Sequence, residues 1–260
     1  MSAQASVRSI VSNEAKIGQG VYIHPFVTIY GNVEIGDNTT IEEYSVVGYP
    51  TPLAGDRPLV IGHNSHIRTH SILYEGSTIG PHLTTGHRVL IRENSVIGRN
   101  VHIGSLSDIE GDCQIGAYTR LHSEVHVSKG SVIGDLVWLY PRVQFTNDPL
   151  PPSGKELGIT VKDMAVVATG TLLLPGVVVG LGSVVGAGSV VRQDIPDVYL
   201  ASGDPAKPIL PIDKVFNPII EARYPWAKYR RKGYPADGLT RMDELLVVID
   251  EKLKTLRVAK

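Results

Sequence analysis

His122-Ser123-Glu124-Val125-His126 places two imidazoles and a carboxylate within five residues, and Asp108 stands eighteen residues before His126. Such a set suits chemistry in which a nucleophile gives up its proton to a positioned base. An imidazole whose pKa is raised by a carboxylate neighbour suits the proton route, as a general base. His126 and His122 are therefore the candidate catalytic histidines, with Asp108 as the group that orients His126. The competing reading is an external ladder of His and Asp that only supports the fold. Which holds depends on the elements that would bring residues eighteen apart together.

Those elements follow from a period of six. Val11, Ile17, Ile23, Ile29, Ile35, Ile41 and Val47 recur at that spacing, then fifteen positions from Ile61 to Phe145, then six from Val161 to Val191. All are aliphatic or Phe except Thr85. Six matches neither a helical turn nor simple strand alternation, so it marks a repeating structural unit. The residue two before each aliphatic is usually small or β-branched, as in Val27, Ser65, Ser95, Thr119 and Ser183. Two residues apart on an extended chain face the same way, so both look inward. Gly, Asp or Asn often follows, as in Ile35-Gly36-Asp37-Asn38, and tolerates the backbone angles of a tight corner. Each hexad is thus a short strand plus a corner.

This spelling resembles the hexapeptide-repeat acyltransferases, and the resemblance spans about residues 11 to 210. It implies an all-β fold, a left-handed parallel β-helix with three hexads per coil. The twenty-eight hexads make about nine coils, about 43 Å tall at the spacing of paired strands. Two domains are expected: residues 1–210 form the β-helix acyltransferase domain, and 211–260 an aromatic and basic segment with a small helix. Leu245, Ile249, Leu253 and Leu256 give that helix an apolar stripe over Asp243 to Arg257, with acids near its start and bases toward its end. It is expected to cap the open end of the prism or to pack on a neighbouring subunit.

The period breaks at 48–60 and 146–160, both rich in Pro or Gly, and both predict extruded loops on a rigid column. Thr85 is a chemical break, because a buried hydroxyl must find a local hydrogen-bond partner. It sits beside His87 and Arg88, which are candidates for substrate contact. Eighteen-residue stacking places His126 between Asp108 and Gln144, and Glu124 between Leu106 and Arg142.

Composition narrows the classes. The formal net charge is −1, which gives no footprint for nucleic acid or an anionic membrane surface. No run of eighteen apolar residues and no signal-peptide pattern occur, so no membrane insertion and a cytoplasmic location are expected. The single cysteine, Cys113, occupies an inward small-residue slot and reads as a packing thiol. Nine histidines raise the question of metal. The zinc carbonic anhydrases of this fold carry one His two after an inward aliphatic and another five residues on; here His122 fills the second position but Ala117 the first. No metal site is expected.

Residues 104–153, including Leu106-Ser107-Asp108, Arg120-Leu121-His122-Ser123 and Thr146-Asn147-Asp148-Pro149, are similar to bacterial nucleotide-sugar N-acyltransferases that modify dTDP-3-amino-3,6-dideoxyhexoses. That resemblance implies acetyl-CoA or another acyl-CoA as cosubstrate, a homotrimer with sites between subunits, and products bound for bacterial surface glycans. It gives Asn147 and Asp148 a place beside the amino sugar, with His87, Arg88, Asp108 and Glu124 as substrate contacts. Gly203-Asp204-Pro205-Ala206-Lys207 is similar to the segment that closes the helix beside coenzyme A in this family. Ala168 and Gly186 then border the pantetheine arm, and Arg192 or Lys207 meets coenzyme phosphates. Two alternatives stay open: an O-acetyltransferase of the same fold, for which a strong base is indispensable, and a non-catalytic assembly protein.

Overall fold

The computed structural model describes residues 4–219, 221–223 and 231–258. The aromatic and basic stretch that includes Tyr224, Trp226, Tyr229 and Arg230 lies largely outside these residues.

The hexads form three parallel sheets, one per face of a prism. The first face runs from Gln4–Ala5 (β1) to Tyr199–Gly203 (β30), the second from Ile10–Val11 (β2) to Val190–Val191 (β29), and the third from Lys16–Ile17 (β3) to Val178–Val179 (β27). Stacked positions are eighteen residues apart, as in Ile103 with Leu121 and Asp108 with His126. This is the all-β parallel β-helix expected from the hexads. The first face carries eleven parallel rungs before Ala206–Pro211 (β31) adds an antiparallel strand, so the column is taller than about nine coils. Two features explain the difference. Gln4–Ala5 pairs ahead of the first counted aliphatic, and beyond Val191 a corner shortens, so that Ile195 pairs with Val179 and Ala201 with Val185.

The inward aliphatics are buried, Ile41, Ile67, Leu73 and Val127 among them. The small residues two before them are buried too, and their hydroxyls bond to corner carbonyls: Ser77 Oγ to Arg92 O at 2.8 Å and Thr119 Oγ1 to Gly134 O at 2.8 Å. Burial therefore leaves no cost of an unmet hydroxyl. Corners put non-glycine residues at positive φ, with Asn64 at 56° and Asn100 at 54°, but also Phe26 at 63° and Leu106 at 62°. Asparagine tolerates that region; Phe and Leu are held there by the stacked coils on either side.

Both extruded loops leave the same corner, between the second and third faces. Ile35 pairs with Ile61 across 26 residues and Ile133 with Val161 across 28. The first loop folds back along that corner, its Thr51 amide donating to Glu75 and its Leu53 carbonyl accepting from Asn94.

The helix α1 spans Ala236–Val258, seven residues longer at its start than the apolar stripe suggests. It does not cap the prism end. Met242, Leu245, Ile249 and Leu253 pack along the corner between the third and first faces, against Tyr118, Leu136, Met164 and Leu181. Gly182 leaves room for Ile249, whose Cδ1 would lie 2.7 Å from any added Cβ. Salt bridges from Arg241 to Asp135 (2.9 Å) and from Lys252 to Asp197 (2.7 Å) flank the contact. A corner offers a continuous apolar strip wherever large side chains replace Gly and Asn, and here it runs from Tyr118 to Val198.

Candidate functional site

Asp108 and His126 occupy neighbouring rungs of the second face, and His126 Nδ1 lies 3.3 Å from Asp108 Oδ2. That contact raises the imidazole pKa above its ordinary value, outweighing partial burial, with the charge of Glu110 adding to it. Asp108 Oδ1 is buried without a hydrogen-bond partner among the described residues. Gln144 stacks on the other side of His126 and donates to the Glu124 carbonyl at 2.9 Å. With Nδ1 turned to Asp108, Nε2 is the nitrogen left to act on a ligand.

His122 stands on the first face, across the corner from His126. Its ring stacks on Tyr140 (centroids 4.6 Å, planes 12° apart) and leans on Trp138, and burial lowers its pKa. It is a neutral ring held in an aromatic stack, whereas His126 is the basic one. Glu124 sits at the corner between them and pairs with Arg142 at 3.0 Å.

The remaining expected residues divide between places. Asn147 Nδ2 meets Glu110 Oε2 at 3.5 Å, which ties the second loop to the far edge of the face that carries His126. Asp148 spends its carboxylate inside that loop, accepting from the Leu150 and Ser153 amides at 3.0 and 2.9 Å and from the Ser153 hydroxyl. His87 Nδ1 meets Thr69 Oγ1 at 2.9 Å, and Arg88 takes a corner position at φ 57°. Ala168 and Gly186 follow one another on the first face, above Tyr140. Arg192 pairs with Asp204 at 3.4 Å, and Lys207 lies on β31.

Three further residues gather beside these. Arg68, His102 and Arg120 line a groove of about 490 Å³ on the first face, with His122 at its upper end. Its floor comes from two glycines. Arg68, Gly86, Gly104 and His122 succeed one another at eighteen-residue steps, so the two middle coils carry no side chain where the outer two do. A Cβ on Gly86 would lie 2.3 Å from Ser105 N, and one on Gly104 2.4 Å from the His122 carbonyl carbon. Desolvation in the groove, and after it the charges of Arg120 and Arg68, hold His102 down to about 4. Eighteen-residue stepping of outward positions was the signal that could have found this groove; taken singly, its glycines read as corners.

The thiol of Cys113 is buried and pushed up to about 12 by desolvation, so it stays a thiol. No helix among the described residues is long and apolar enough to cross a membrane.

The family described as bacterial transferase hexapeptide (six repeats) matches residues 14–49 and 94–129. The bifunctional protein GlmU of Corynebacterium diphtheriae is 29% identical over 188 residues, 72% of this chain and 35% of that protein. The acyl-[acyl-carrier-protein]–UDP-N-acetylglucosamine O-acyltransferase of Saccharophagus degradans is 31% identical over 129 residues, 49% of this chain and 46% of that protein. The chain thus spans less than half the length of either relative. Among solved structures, the Arabidopsis UDP-N-acetylglucosamine acyltransferase superposes with a TM-score of 0.53 at 18% identity, covering 90% of this chain and 78% of that one, a likeness of fold.

Proposed function

We propose that this chain, a hexapeptide-repeat protein, is an acyltransferase that moves an acyl group from acyl-CoA to the amine of a nucleotide-linked amino-deoxy sugar. The observation that carries the reading is the His126–Asp108 pair, a basic imidazole held on the outer wall of a rigid prism. One sequence relative supports acyl transfer to a nucleotide sugar by name, the acyl-[acyl-carrier-protein]–UDP-N-acetylglucosamine O-acyltransferase of Saccharophagus degradans. A dTDP-linked 3-amino-3,6-dideoxyhexose is the acceptor to which the sequence resemblance points.

The chemistry is a single exchange at the acyl carbon. The neutral amine attacks the thioester carbonyl, forming a C–N bond; the C–S bond then breaks and the thiolate of coenzyme A leaves. One proton departs from nitrogen, to His126 Nε2 or to the leaving sulfur, so that an amide and a free thiol result. An amine flanked by sugar oxygens titrates nearer an α-amino group, about 7.7 to 8.0, than a lysine, so part of it is neutral at pH 7 before any base acts. The small side chains of Ala168 and Gly186 leave the first face low above Tyr140, a path suited to a slender pantetheine arm. Assembly as a trimer would bring the Asn147 loop of one subunit over the face of the next.

A second reading has its own support. A sugar hydroxyl scarcely ionises at neutral pH and requires a base such as His126, and the Saccharophagus relative is an O-acyltransferase. Acetyl-CoA incubated with matched dTDP- and UDP-linked amino and hydroxy sugars, with free thiol followed by a chromogenic disulfide, separates the two. Thiol release with amino sugars supports N-acylation, and release with hydroxy sugars alone supports O-acylation. No release with any acceptor favours a non-catalytic assembly protein.

A further inference from the structure

We propose that Arg68 and Arg120, which both line the groove on the first face, form a clamp for the diphosphate of a nucleotide-bearing ligand. The inference rests on the acyltransferase reading for the ligand's identity, while the clamp itself stands on the groove.

Its lining contains no carboxylate. Four of the nine arginines in residues 1–210 are matched by an acid, Arg92 by Glu93, Arg99 by Asp237, Arg142 by Glu124 and Arg192 by Asp204, while Arg8, Arg57 and Arg88 have no ion-pair partner among the described residues and lie outside the groove. Arg68 and Arg120 have no ion-pair partner among the described residues. Two unneutralised guanidiniums beside one concavity repel each other and are retained at a cost in stability unless an anion joins them. Guanidinium forks match phosphate oxygens in pairs, which makes a diphosphate the fitting occupant.

Both arginines are set by specific contacts. Arg120 Nη1 donates to the Asn100 and Thr119 carbonyls and Nη2 to Asn100 Oδ1 at 2.6 Å, while its carbon lies 4.5 Å from the centroid of the Tyr234 ring. A guanidinium has five N–H donors, so among the described residues Nε–H and one Nη2–H have no acceptor. The amide of Arg68 donates to the Thr85 hydroxyl at 2.8 Å. At the equivalent place on adjacent coils, the Glu42 and Gly86 amides donate to backbone carbonyls. The one hydroxyl in the aliphatic series thus anchors the chain at the arginine that enters the groove. His102, between the two guanidiniums and below His122, is neutral near pH 7, adding no third charge and keeping an N–H to donate.

The test is calorimetric titration of the full chain with inorganic pyrophosphate, UDP or dTDP, and coenzyme A, on wild type, Arg68→Gln, Arg120→Gln and, as a control away from the groove, Arg257→Gln. Each groove variant should weaken binding by about tenfold or more, the size of a lost charge-assisted contact, with Arg257→Gln unchanged. Thermal melts confirm that each variant is folded, and Arg68→Lys, which keeps charge but loses the fork, should fall between. Loss for the nucleoside diphosphates assigns the clamp to the sugar nucleotide; loss for coenzyme A assigns it to the cosubstrate. Arginine-dependent pyrophosphate binding without any nucleotide binding would uphold the clamp and sink the acyltransferase reading. Equal affinities in all folded variants, or no binding of any phosphoanion to wild type, would overturn the clamp, and the former leaves the acyltransferase reading intact.

Discussion

The indole Nε1 of Trp138 donates to the Tyr234 hydroxyl at 2.7 Å, a bond between residues 96 apart. It ties the segment preceding α1 to the face that holds the groove, because the same tyrosine ring lies against Arg120. Tyr234→Phe keeps the ring and removes the bond, so it should cost about 1 kcal/mol. Tyr234→Ala also removes a nearly buried ring and should cost about 3 kcal/mol. Urea unfolding measures both; equal costs would mean that the hydroxyl, not the ring, carries the contact.

His126→Asn distinguishes two routes for the departing proton. An amine acceptor that is already partly neutral should lose less than about tenfold in kcat, since a base contributes little to its deprotonation. A loss of about a hundredfold or more with KM unchanged would show that the proton passes through the imidazole, as a hydroxyl acceptor demands.

The raised pKa of His126 also sets a pH profile. If the imidazole accepts the proton it must be neutral, so kcat/KM should climb with pH through a value above the ordinary 6.5 and level off beyond it. Asp108→Asn removes the main cause of the shift and should move that limb to lower pH, with a lower plateau from a weaker base. The stability effect has the opposite sense. The pair stabilises the fold in full below 6.5, and its contribution fades as pH rises through the folded value. A limb that does not move in Asp108→Asn would assign it to the acceptor amine instead.

The hexads made the prism, both loops and the His126–Asp108 contact legible, because strand stacking turns a sequence interval of eighteen into adjacency. Coil number was less legible. Gln4–Ala5 contributes a rung with no large aliphatic, and Ile195 arrives four residues after Val191 where the period demands six. Leu245, Ile249 and Leu253 predicted an apolar helix face, but periodicity says nothing of which surface will cover it; Tyr118, Leu136 and Met164 stand at corner positions and are its seat. The Arg68 to Arg120 groove was hidden for a related reason. It arises from side chains that Gly86 and Gly104 lack, and an absence shows only once the coils above and below are aligned.

Cys113 lies among buried aliphatics, with its thiol near Gly111 and Ser128 carbonyls and its pKa raised to about 12. A thiol reagent should therefore react with none of it in the native protein, and with one equivalent per chain after denaturation. Cys113→Ala should leave acyl transfer unchanged while lowering stability by about 1 kcal/mol, the cost of a small cavity. Rapid native labelling would show that this coil opens on the time scale of the assay.

Thr85→Val gives the sharpest separation of structure from function. Valine has nearly the same shape and the hydrophobic character of every other hexad, so burial alone predicts a neutral or stabilising change. The Arg68 amide, however, would lose its acceptor, and an unmet buried donor costs about 1 to 3 kcal/mol. Net destabilisation in urea, with recovery in Thr85→Ser, is the expected result. The same variant should weaken pyrophosphate binding severalfold, since Arg68 enters the groove from the amide that Thr85 holds, and Thr85→Ser should restore it. If Thr85→Val were as stable as wild type and bound pyrophosphate equally, the hydroxyl would be a passive occupant of the core.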